Sequence, residues 1–310
     1  MTWLIALDRV GMMPRKLRIE YPGATYHIIS RGNYRKDLFT QIGSGEAFER
    51  AIFEVVERCG WDLYAYLIMS NHYHLALRTP EPNLVAGMKW LQSTFATRFN
   101  RFHGERGHVF QGRYKSLLVT ESRPLLGLID YIHLNPVRAG LCTVNSLKSH
   151  PLSSYPKYWK RKPPVGLCRD VLASLCGFAD SASGMGAYRT HLELCEEGDP
   201  EKHEELVKRY CRGWFTGSAK AKKELAKDLA EEDPGVDWET TDLRDLNEAR
   251  WESIIREEMK KAGKSESDIE RDRKGAAWKV AVAKRLRKQT TAGNPWIARR
   301  LRMGSPNYVS

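Results

Sequence analysis

The chain has 310 residues, enough for two compact domains or one large one. It is 42% hydrophobic and 28% charged, which suits a folded globular protein, and no apolar run approaches the ~18 residues a membrane-spanning helix needs. A formal net charge of +12 favours a polyanionic partner, nucleic acid first, over neutral or basic ones. A basic protein that binds nothing anionic is the plain alternative. The six cysteines are scattered and form no CxxC pair, which argues against a zinc ribbon and against a secreted disulfide scaffold. Free thiols in a reducing cytoplasm are expected. The opening "MTWLIALDRVGMMPRKLR" has a short apolar patch with no basic segment ahead of it, so it does not read as a signal peptide.

Patterned sequence starts near Arg18, and residues 1–16 read as an N-terminal extension. Residues 24–32, "ATYHIISRG", alternate and predict a strand. Residues 44–59 place Phe48, Ile52, Val55 and Val56 on one face of a helix. Strands are expected at 61–69 and 72–79, joined by a tight turn at Ser70–Asn71. In a helix over 83–103, Leu84, Met88, Leu91, Phe95, Phe99 and Phe102 recur at helical spacing and read as core. A fourth strand is expected over 108–119. Ser122 and Pro124 open a last helix that Pro136 is expected to stop. The order β-α-β-β-α-β-α is the split pattern of an α+β, ferredoxin-like antiparallel sheet with one extra helix. Helices on one face would leave the other free for a ligand.

Beyond about residue 150 the character changes. Residues 146–200 include "HPLSSYPKYWKRKPPVG" and read as a linker or domain edge. Residues 201–310 read as a mainly helical, basic region. Near its end Val280, Ala283 and Leu286 begin one helix, and Pro295 begins another, with Met303-Gly304-Ser305 as a turn. That arrangement has the outline of a helix-turn-helix. A basic helical tail is the simpler reading.

The stretch "LIMSNHYHLAL", residues 67–77, carries the chemistry. Residues two apart in a strand share a face, so His72 and His74 point one way while Tyr73, Leu75 and Leu77 point into the core. Two imidazoles about 7 Å apart along a strand can reach one divalent ion. The signal is weak alone, because a short H-x-H occurs often by chance. The helix over 122–135 adds Tyr131 and Asn135, four residues apart on one face. An Asn amide oxygen suits Mg²⁺ or Mn²⁺, and a tyrosine can serve as a nucleophile. The alternative makes Tyr131 a core residue and Asn135 a helix end.

"GATYHIISRGN", "YLIMSNHYHLAL", "RYKSLL" and "DYIHLNPVRAGL" together resemble the single-tyrosine HUH transposases of insertion sequences, and are similar above all to the REP-associated branch. The resemblance is dense over about residues 17–145, which it implies are the catalytic domain, and looser beyond. It places the nucleophile on Tyr131, the paired ligands on His72 and His74, and the amide ligand on Asn135. Tyr73 fills the middle position of the histidine motif. It implies a divalent metal, a single-stranded DNA hairpin as substrate, a covalent 5′-phosphotyrosine intermediate, and strand rejoining without ATP. It leans towards a monomer over a helix-exchanged dimer, in the cytoplasm or on the nucleoid. Arg31, Arg113 and Lys115 are candidates for DNA contacts, with solvated surface residues as the alternative. His27 reads as structural or solvated. Two rival functions stand beside this one. The first is a non-enzymatic DNA-binding protein acting through the basic C-terminal segment, and the second is an RNA binder using an open sheet face.

Overall fold

The computed structural model describes residues 19–196, 200–232 and 244–309, and the expected extension over 1–16 lies outside them. The chain forms two compact units, Glu20–Glu224 and one made mainly of Leu225–Ser310.

The first unit is an α+β sheet. Strands β1 (Ala24–Arg31), β2 (Asp62–Ile68), β3 (His72–Thr79) and β4 (Lys115–Val119) interleave with helices α1 (Ser44–Cys59), α2 (Leu84–His103) and α3 (Ser122–Arg138). The sheet order is β2-β3-β1-β4, and every pair among these four is antiparallel. α1 buries Phe48, Ile52, Val55 and Val56, spaced at i, i+4, i+7 and i+8. That stripe meets the inward face of α2, and Phe48 stacks within 4.6 Å of Tyr73 and 4.9 Å of Phe95. Phe102, expected inward on α2, is exposed. It lies in the last turn, just ahead of the left-handed Gly104 that closes the helix.

The strand expected over 108–119 is interrupted. Phe110 bridges Gly32, yet Lys115 is already opposite Ile29. Five residues on one side thus match three on the other. The excess is taken up in a bend at Gly112, whose φ of +62° suits glycine. The helix expected to stop at Pro136 runs on to Arg138 with the proline inside it. A proline costs one amide donor, and here the last turn closes around it. Gly140, at φ +70°, donates to the Val137 carbonyl and Leu141 donates to that of Pro136, a paired C-terminal cap.

The expectation that one face of the sheet stays free is not met. α3 packs on β2 and β3 opposite α1 and α2. The segment 146–200 is folded against the sheet rather than running as a linker. It contributes α4 (Ser154–Tyr158), α5 (Arg169–Cys176) and α6 (Met185–Glu196). Its backbone also lines the outer edge of β2: Leu63 N–H donates to Gly166 and Ile68 N–H to Leu152. Helix α7 (Pro200–Cys211) then leads to β5 (Phe215–Thr216), which adds in parallel to β4 and makes the sheet five-stranded.

His133 is buried behind α3, with Nδ1 2.9 Å from the Tyr188 hydroxyl and Nε2 2.7 Å from Ser154 Oγ. Burial lowers its pKa to about 3. Between pH ~3 and ~6.5 the unfolded chain therefore binds a proton that the folded one does not, so stability rises with pH across that window. His191 acts above that window: its hydrogen bond to Asp130 raises its pKa, so its contribution is lost as the pH climbs past ~6.5. In a pH series of thermal melts, His133→Gln should flatten the acid limb relative to the unaltered chain. The difference in slope is at most about 1.4 kcal/mol per pH unit.

α8 (Ala219–Glu232) spans the boundary between the units. The second unit holds α9 (Arg244–Lys261), α10 (Glu266–Arg271), α11 (Ala277–Gln289) and α12 (Asn294–Arg300). They enclose a core that includes Trp251, Ile255, Leu286, Ile297 and Leu301. Lys279 Nζ donates to the carbonyls of Ile269 and Asp272 and so closes the end of α10. The two helices expected near Val280 and Pro295 are α11 and α12, and after the turn Pro306–Val309 forms a single 3₁₀ turn.

Candidate active site

The alternation of β3 sends Tyr73, Leu75 and Leu77 into the α1–α2 core and sends His72 and His74 to the opposite side, under α3. The two imidazole centroids are 5.1 Å apart. Tyr131 descends from α3 onto the same spot, its ring 5.7 Å from that of His74. Apolar residues Leu128, Ile129 and Ile132 anchor the buried part of that helix. His72, His74 and Tyr131 share a cavity of about 660 Å³ with Ser30, Arg31, Arg35, Asn71, Gln111, Lys115 and Cys211, among others.

Each histidine has its Nδ1 engaged. His72 Nδ1 lies 2.8 Å from Asn71 Oδ1, and His74 Nδ1 lies 2.9 Å from His27 Nε2. Nε2 is the remaining nitrogen on both rings. Burial lowers the pKa of both, reinforced by Arg31 beside His72 and by the neighbouring imidazoles around His74. They are therefore neutral near pH 7, the form in which imidazole ligates a metal. Two neutral imidazoles whose other nitrogens are already held fit a divalent ion.

Tyr131 is nearly fully buried, and its Oη is 3.1 Å from Cys211 Sγ. Burial raises its pKa, as does the thiol, while Asn135 and Arg138 pull the other way. Asn135 thus acts on the Tyr131 hydroxyl from one turn along α3, although it does not line the cavity. Among the predicted DNA contacts, Arg31 and Lys115 line the cavity. Arg113 does not: it precedes β4, in the bend that replaces the expected strand, and faces solvent.

Sequence reasoning passed over several groups. Arg35 and Gln111 reach the cavity from loops with no periodic signal. Cys211 and Tyr210 come from α7, about 80 residues after Tyr131. A β-carbon at Gly127 would run into the Tyr210 hydroxyl, so the glycine on α3 admits that ring. His27, read as structural, is buried and stacked on His74.

A second group can also hold a metal ion. The ligand atoms of Asp130, His191 and Cys195 lie within 4.8 Å of one another on α3 and α6. Asp130 Oδ2 is 2.8 Å from His191 Nε2, and Oδ1 accepts from Tyr188. This group is separate from the cavity that holds His72, His74 and Tyr131.

Residues 20–135 match the family described as "Transposase IS200 like". This segment is similar to the IS200-like transposases. The chain is 25% identical over 144 residues to a protein of Haemophilus influenzae named as a REP-associated tyrosine transposase, covering 40% of this chain and 81% of that protein. Among solved structures, a REP-associated tyrosine transposase bound to a REP hairpin aligns at 19% identity and a TM-score of 0.40, over 47% of this chain and 85% of that one. A transposase from Deinococcus radiodurans aligns at 18% identity and a TM-score of 0.29, over 42% of this chain and 98% of that one. Among the described residues, no helix is long and apolar enough to cross a membrane.

Proposed function

We propose that the chain cleaves and rejoins single-stranded DNA beside a hairpin, with Tyr131 as nucleophile and His72, His74 and Asn135 as the ligands of Mg²⁺ or Mn²⁺. The convergence of Tyr131 on the two neutral histidines in one cavity carries this reading. Tyr131 Oη would attack the phosphorus. The bond from phosphorus to the 3′ oxygen breaks, its electron pair leaves on that oxygen, and the phenolic proton is released as the 3′-OH gains one. The product is a 5′-phosphotyrosine, and a DNA 3′-OH reverses the step. When bound, the ion would draw charge from a phosphate oxygen. Arg31 and Lys115 line the cavity and would hold the phosphates. Arg113, exposed nearby, would contact DNA outside it. Because nucleophile and histidines meet within one chain, the site needs no exchanged helix, which supports a monomer.

The test uses labelled single-stranded hairpins, taken from inverted repeats flanking the gene, with Mn²⁺. A protein–DNA adduct that survives denaturation is expected. Chelator, or His74→Ala, should reduce its formation at least tenfold. A folded His74→Ala chain that forms adduct at the original rate would remove the metal from the mechanism. Tight hairpin binding with no adduct would favour a DNA-binding protein acting through its basic C-terminal helices instead.

A further inference from the structure

His27 makes two hydrogen bonds from complete burial in β1. Its Nδ1 lies 2.7 Å from the carbonyl oxygen of Tyr210, 183 residues away in sequence. A carbonyl can only accept, so Nδ1 carries a proton and donates it. A neutral imidazole with its proton on Nδ1 has only a lone pair at Nε2. That Nε2 lies 2.9 Å from Nδ1 of His74, so His74 must be the donor. With its proton committed to Nδ1, His74 has its own lone pair at Nε2. The two rings are within 21° of parallel, with centroids 5.1 Å apart, so the ring plane is held as well.

We propose that His27 is a positioning residue that locks His74 in the Nδ1–H tautomer, transmitting to the candidate metal site the constraint of the Tyr210 carbonyl on α7. The role in metal binding rests on reading His72 and His74 as ligands. The tautomer does not, because it is a property of the metal-free chain. A merely space-filling His27 would leave His74 free to exchange tautomers. His72 reaches the same state through a side-chain amide, Asn71 Oδ1, next to it in sequence. The two ligand tautomers are thus fixed independently, one locally and one from the far end of the sheet unit.

The test begins with the full-length, metal-free protein labelled with ¹⁵N at histidine. His74 is assigned by the signal lost in His74→Ala. Long-range proton–nitrogen correlation at pH 7.5 should show Nδ1 protonated and Nε2 bare. A His74 protonated on Nε2, or a mixture of the two forms, overturns the proposal. Calorimetric titration with Mn²⁺ follows. His27→Phe keeps the ring and loses the acceptor, so affinity should fall tenfold to a hundredfold. His27→Gln, whose side-chain oxygen can accept from His74, should recover part of that loss. A folded His27→Phe chain with undiminished Mn²⁺ affinity overturns the proposed role in the metal site. An unaltered chain that shows the Nδ1–H form yet takes up no Mn²⁺ upholds the lock and removes the metal reading.

Discussion

Tyr131→Phe is expected to abolish the covalent adduct, lowering cleavage by about 10³-fold or more, the scale on which loss of a nucleophile is felt. The substitution removes one oxygen and little else. The ring that packs 5.7 Å from His74 and 5.4 Å from Tyr210 remains. The hydroxyl's contacts with Cys211, 3.1 Å away, and with Asn135 are lost. Such a bond is worth about 0.5–1.5 kcal/mol, so the melting temperature should move by less than about 6 °C. Mn²⁺ affinity and hairpin binding should stay within about twofold, since the histidines keep their partners. A gel of labelled hairpin after denaturation, beside a calorimetric melt, separates chemistry from folding. An adduct that persists in the variant would place the nucleophile elsewhere.

Phe48→Ala is expected to be the most costly single change to the fold. Phe48 is fully buried where α1 meets β3, ringed by Phe39, Tyr73, Phe95 and Phe110 at 4.6–6.0 Å. Its removal loses transfer energy and leaves a cavity among rigid rings that cannot collapse into it. The cost should be about 3–5 kcal/mol, a large part of the ~5–15 kcal/mol that holds a domain together. For a unit of this size that corresponds to a melting point lower by about 6–20 °C. Because Tyr73 sits between His72 and His74, the damage should spread to the cavity, and Mn²⁺ affinity should fall with stability. Denaturant titration measures the first effect and calorimetry the second. A cost under about 1 kcal/mol would mean that this aromatic cluster is not the hydrophobic centre of the unit.

Periodicity made the frame legible. The alternation through Tyr73, Leu75 and Leu77 put His72 and His74 on one face, and the helical spacing put Tyr131 and Asn135 together. These are local signals, and each survives folding because the element it belongs to is long enough to repeat it. What stayed hidden has no repeat. β5 is two residues long and pairs with β4 across almost 100 residues. The bend at Gly112 splits a run that reads as one strand. Pro136 reads as a stop, yet the cap at Gly140 lets the helix close around it. His27 reads as one more alternating residue until the Tyr210 carbonyl and His74 are seen on either side of it. Segment 146–200, rich in Pro, Ser and Lys, reads as a linker, although Tyr155, Tyr158 and Tyr188 are buried within it.

The stretch that matches the transposase family ends at residue 135, but the unit that folds ends near residue 224. Anyone trimming the protein to a minimal DNA-nicking tag would be drawn to cut close behind the helix that carries Tyr131. Such a cut would remove α7 and β5. It would bare the edge of β4 to pairing with other chains, and would take Cys211 from the Tyr131 hydroxyl and the Tyr210 carbonyl from His27 Nδ1. The economical place to cut is about ninety residues further on.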